Sequence, residues 1–145
     1  MDADLGFQIA NTVCLWGWLA LLASPWIPTW ADRLAGFIIP GLVSVAYVIL
    51  IVMFMGTTDG GYFTLDDVIK LFASREVVLA GWLHVIAFDL FVGAWIVRTA
   101  RAEAIAFVWV VPCLIMTFLF GPAGFLAFLA LRAWMSGRDS RAAAA

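Results

Sequence analysis

The chain has 145 residues, 66% of them hydrophobic and 12% charged, with a mean hydropathy of +1.06. An ordinary soluble domain is about half apolar and a quarter charged, so this is the composition of an all-α, polytopic membrane protein. One lysine and seven arginines are scattered singly through a chain of net charge -2, which leaves no basic stripe for nucleic acid.

A spanning helix needs about 20 mostly apolar residues, and four segments meet that length, at about 5–24, 34–55, 77–97 and 104–131. The first is preceded by acidic Asp2 and Asp4, where a signal peptide would be basic. It therefore reads as a retained helix. The chain starts directly on this span, without a Ser- and Arg-rich transit peptide, which points to a bacterial inner membrane. Cys14 and Cys113 lie inside apolar runs without CxxC spacing and read as buried free thiols.

The prolines and tryptophans of "SPWIPTWADR" mark an interface after the first span. After the second comes the glycine-rich turn "GTTDGGYFT". In "TLDDVIKLFASRE", Thr64 stands three residues before Asp67 as in a capping box, and Leu65, Val68, Ile69 and Phe72 recur at helical spacing. That pattern predicts a short amphipathic helix on the membrane surface, with a capped turn free of membrane contact as the alternative. The charged hairpin "RTARAE" separates the third span from the fourth.

The fourth segment is too long for one perpendicular span and is interrupted by Pro112 and by "GPAG" at 121–124. The expectation is one helix, kinked near Pro112 and bent or broken at Gly121-Pro122, whose "LRAWMSGR" end emerges into the interface. Four spans place both termini and the 56–76 loop on one side. Lys70, Arg75, Arg132, Arg138 and Arg141 then oppose Arg33, Arg98 and Arg101, which favours cytoplasmic termini. Gly36, Gly41 and Gly93 offer close helix contacts suited to a homo-oligomer or a membrane-protein partner, with lipid able to fill the same faces. The whole chain reads as a single domain.

Within the third span, "GWLHVIAFDLFVGAWIV" at 81–97 carries His84, the only histidine, and Asp89. A carboxylate at the centre of a span costs about 2.5–3.5 kcal/mol on insertion scales. In so apolar a place it favours its protonated or hydrogen-bonded form, a starting state for a general acid. The structural alternative is a hydrogen bond to Gln8, Asn11, Thr12, Ser44 or Thr117, which all fall in predicted spans. His84 can exchange a proton near neutral pH or sit satisfied in the core. At about 100° per residue, His84 and Asp89 lie about 140° apart around the helix and share one site only if protein surrounds it. Trp82, Asp89 and Gly93 fall along one stripe, and Gly81, His84, Phe88 and Phe91 along another.

One histidine is too few for a di-iron centre or a bis-histidine haem, and the only lysine, Lys70, lies in a loop, which removes a retinal Schiff base. No metal or cofactor is therefore expected. No phosphate-cradling loop or nucleophile elbow is present either. A minimal proton relay and a structural subunit of a larger membrane complex remain compatible with these residues.

The run "GWLHVIAFDLFVGAWIV" together with "VPCLIMTFLFGPAGFLAFL" at 111–129 resembles the signature of the ABA4-like family. The Gly-Trp-x-His start, the Ala-Phe-Asp-Leu-Phe-Val-Gly run and the Phe-Gly-Pro-x-Gly element carry the likeness. It implies a four-span membrane protein of carotenoid metabolism, linked in plants to conversion of the epoxide violaxanthin into the allenic neoxanthin. That isomerisation needs an acid at the epoxide oxygen and a base at the polyene, but no metal. The resemblance implies Asp89 and His84 as the catalytic pair, with Trp82, Phe88, Phe91 and Trp95 lining the carotenoid groove. A non-enzymatic pigment-binding or assembly protein is the other reading.

Overall fold

The computed structural model describes residues 2–142, with side chains through Gly137. Helix α1 spans Ala3–Leu22, started by Asp2, whose carboxylate accepts from the backbone N–H of Asp4 and Leu5. Helix α2 (Pro28–Arg33) leads through a wide π turn at Leu34–Ile38 into α3 (Ile39–Phe54). The wide turn has a local cause. Pro40 has no N–H for the carbonyl four residues back and its ring would strike it, so the backbone opens there instead.

A 3-10 turn at Met55–Thr57 ends that rod. The short helix α4 (Leu65–Leu71) follows, capped as expected by the Thr64 hydroxyl, which accepts from Asp67 N–H at 3.1 Å. Helix α5 (Arg75–Ala102) is the longest element and the centre of the molecule, with α1 and α3 packed on it. Three helical stretches, Ala3–Leu22, Pro28–Thr57 and Arg75–Ala102, are long and apolar enough to cross a membrane.

Close approach of α1 to α5 depends on small residues. A Cβ on Gly17 would lie 2.5 Å from Leu90, and one on Gly93 would lie 2.9 Å from both Trp18 and Leu21. Gly36 likewise faces Arg98. Of the three glycines expected at subunit contacts, only Gly41 has no neighbour within 4 Å.

The fourth segment departs from expectation. Instead of one helix over 104–131 there are two, α6 (Phe107–Phe120) and α7 (Pro122–Ala142), joined at Gly121. The backbone there has φ +46° and ψ -99°, a conformation open to glycine and strained for other residues. The chain turns back on itself. A single helix of that length would hold its ends about 40 Å apart, yet Arg132 donates to Glu103 through Nε at 2.8 Å and again through Nη2. Trp95 of α5 meets Phe125 and Phe128 of α7, at 5.5 and 5.7 Å between ring centroids. Helices α6 and α7 therefore form a hairpin. α6 is about 21 Å long, too short to cross a hydrocarbon core of about 30 Å, and it runs through Pro112 without a break.

This course also separates the termini. Asp4 pairs with Arg75 at 2.5 Å at one end of the bundle, with α4 and the 56–76 loop beside it. Asp32 pairs with Arg98 at 2.9 Å at the other, where Glu103 and Arg132 also meet. The expected arrangement with both termini on one side counts a fourth complete span; the hairpin brings Arg132 to the bundle end that holds Asp32 and Arg98.

The Glu103–Arg132 pair gives a pH dependence. The hydrogen bond from Arg132, aided by its charge and opposed by partial burial, holds the Glu103 carboxyl below its ordinary value of 4.5. A lowered folded value means that the pair's contribution is complete above 4.5 and disappears as pH falls through the lower, folded value. Amide protection factors across 122–132, that is, exchange corrected for its intrinsic pH dependence, should therefore fall under acid in the native chain, and Glu103→Gln should flatten that acid-dependent part of the profile.

Candidate functional site

Asp89 lies halfway along α5, and the tip of the α6–α7 hairpin is beside it. A Cβ placed on Gly121 would stand 2.7 Å from Asp89 Oδ1 and 3.2 Å from Oδ2. Below the tip, α6 and α7 leave the flanks of α1 and α5 uncovered, and a cavity of about 860 Å³ opens there. Its α1 wall is formed by Asn11, Cys14, Leu15 and Trp18. Trp82, His84, Phe88 and Asp89 contribute from α5, and Phe118 through Pro122 close the top. Leu15, Trp82 and Phe88 are exposed, so the groove opens sideways. Its volume falls within the roughly 300–1,000 Å³ usual for small-molecule sites.

None of the interhelical partners considered for Asp89 reaches it. Asn11 Nδ2 donates to Phe7 O at 2.9 Å and its Oδ1 accepts from Trp82 Nε1–H at 2.9 Å. Thr12 and Thr117 return their hydroxyl protons to the carbonyls one turn earlier, Gln8 O and Cys113 O, both at 2.8 Å. Asp89 has no hydrogen bond or ion pair among the described residues. A half-buried carboxylate presented to an apolar groove is thus the principal polar feature at this depth of the bundle.

His84 borders the same groove from another edge of α5, its ring 5.5 Å from Tyr47 and 4.9 Å from Phe88. No hydrogen bond joins it to Asp89 among the described residues. The cavity surrounds enough of α5 to meet both side chains despite their angular separation. The other expected lining residues divide. Trp82 and Phe88 line the groove, Phe91 is exposed on another face, and Trp95 is packed against Phe125 and Phe128.

Sequence reasoning did not anticipate Cys14, Trp18 and Phe118 as walls, nor Gly121 as the residue against the carboxylate. Trp18 and Phe118 meet edge to face at 5.4 Å and join α1 to α6. The Gly-Pro pair was the available signal for the tip, but it marks a break without giving its direction. Cys14 and Cys113 are buried free thiols.

Fold and groove together define a small helical membrane protein with a side-opening cavity and a single carboxylate among the residues that line it. Within that class the chain belongs to the ABA DEFICIENT 4-like family, whose family model matches residues 5–128. The match takes in all three long helices, the whole of α6 and the hairpin tip. Comparison with curated proteins and with solved structures returned no match.

Proposed function

We propose that this protein isomerises a carotenoid end group held in the groove beneath the hairpin tip, with Asp89 as the general acid. The observation that carries the reading is the Asp89 carboxyl, without a partner among the described residues and facing an apolar cavity halfway along α5. Membership in the ABA DEFICIENT 4-like family supports a carotenoid as that substrate.

For an epoxide end group, the chemistry balances without an oxidant. The Asp89 carboxyl gives its proton to the epoxide oxygen as the C–O bond breaks, and a proton leaves the neighbouring polyene carbon for a base on the groove wall. One proton enters and one leaves, so the product is an isomer. His84, bordering the same cavity, is the group we assign as base, while Trp82 and Phe88 hold the apolar ring and the start of the polyene. Trp95 belongs to this assignment only as a support, holding α7 against α5, and Phe91, exposed on another face, takes no part in it. Helix α4, with Leu65 and Ile69 exposed, would lie along the membrane surface.

A chromatographic pigment profile of the native host with and without the gene tests this directly. A xanthophyll missing from the deletion strain, with an isomeric precursor accumulating, is the expected result. An identical profile in both strains would remove the enzyme and leave a protein that binds pigment, recognisable by carotenoid retained through purification.

A further inference from the structure

We infer that the groove is filled through a vestibule at the Asp4–Arg75 end of the bundle, and that this end faces away from the cytoplasm. The use of the groove rests on the proposed function; the orientation and the vestibule rest on the fold alone.

The hairpin closes one end of the side-opening groove. Phe118 to Pro122 cap it on the side where α6 and α7 fill the bundle out to Glu103 and Arg132. On the opposite side Trp82 forms part of its boundary, and Trp82 also borders a second cavity of about 360 Å³. Asp4, Phe7, Phe72, Arg75 and Val78 line that second space, so it reaches the bundle end where Asp4 and Arg75 pair. Trp82 is therefore the partition between the two, held by its hydrogen bond to Asn11 and by the Phe7 ring 5.4 Å away. Besides its sideways opening, the groove thus has a route to Asp89 from this bundle end, between α1 and α5 and past one tryptophan.

Charge assigns the sides. Because the hairpin returns, Arg132, Arg138 and Arg141 join Arg33, Arg98 and Arg101 at the far end, and only Lys70 and Arg75 remain at the vestibule end. Lysine and arginine accumulate in the cytoplasmic segments of membrane proteins. A distribution of two against six puts the Arg-rich end in the cytoplasm and the vestibule on the opposite face. Substrate and exchangeable protons then reach Asp89 from the non-cytoplasmic leaflet.

Single cysteines in the full chain test this in intact cells, using a membrane-impermeant maleimide and the native chain, with its buried Cys14 and Cys113, as background. Asp59→Cys in the exposed loop and Val78→Cys in the vestibule should label from outside. Ala102→Cys, exposed at the far end, should label only after permeabilisation. Val52→Cys, 79% exposed on α3, serves as the apolar-face control and should label several-fold more slowly than Val78→Cys. Exchange of the Asp59 and Ala102 patterns would overturn the orientation, and Val78→Cys no faster than Val52→Cys would overturn the vestibule. Neither readout depends on catalysis, so failure of the Asp89 chemistry would appear separately, in the pigment profile.

Discussion

Asp89→Asn is expected to lower carotenoid conversion by roughly 10²–10⁴-fold, the usual contribution of a positioned general acid, while the protein accumulates normally in the membrane. The two effects separate because the Asp89 carboxyl has no hydrogen-bonding partner among the described residues, so replacing it breaks no pair there. Asparagine keeps the shape of the side chain against Gly121 and loses the transferable proton. The decisive measurement is the conversion rate in membranes matched for protein content. Undiminished conversion by Asp89→Asn would dismiss the acid role, and loss of the folded protein would mean that Asp89 serves the packing of the hairpin tip instead.

Gly121→Ala is expected to be the most damaging small substitution in the hairpin. A residue held in so sparsely populated a backbone conformation costs about 1–3 kcal/mol, and the added methyl would stand 2.7 Å from Asp89 Oδ1. Both tip and carboxylate must shift, so stability and conversion should fall together. A double-mutant cycle with Asp89→Ala separates the causes. The steric part should diminish when the carboxylate is removed, and the backbone part should persist. Full additivity would show that the tip and Asp89 do not press on each other, and a Gly121→Ala chain of native stability would contradict the turn itself.

The contrast between Trp82 and Trp95 shows how far residue types can be taken toward a site. The family resemblance places both on the groove, yet one lines it and the other is covered by α7. Rings on a helix can meet lipid, ligand or another helix, and their choice depends on where a segment about 30 residues later returns. His84 and Asp89 stood out because titratable groups are rare and costly in spans. Their shared cavity depended on neighbours that angular spacing could not supply.

By itself the sequence determined the membrane class, three of the long helices, the Thr64 cap, the breaks at proline and glycine, and the two titratable residues of the third span. These follow from local quantities: hydropathy summed over a window, side-chain capping and the cost of burying a charge. Tertiary structure alone decided that the last apolar segment goes in and comes back. A 14-residue helix followed by a 21-residue one cannot be told by composition from a single long helix. The difference lies in the backbone angles of Gly121, the meeting of Arg132 with Glu103 and the packing of Trp95 on α7, contacts between residues far apart in the chain. That reversal brings the tip to Asp89, leaves the groove beneath it and places the C-terminal arginines at the opposite end from Asp4.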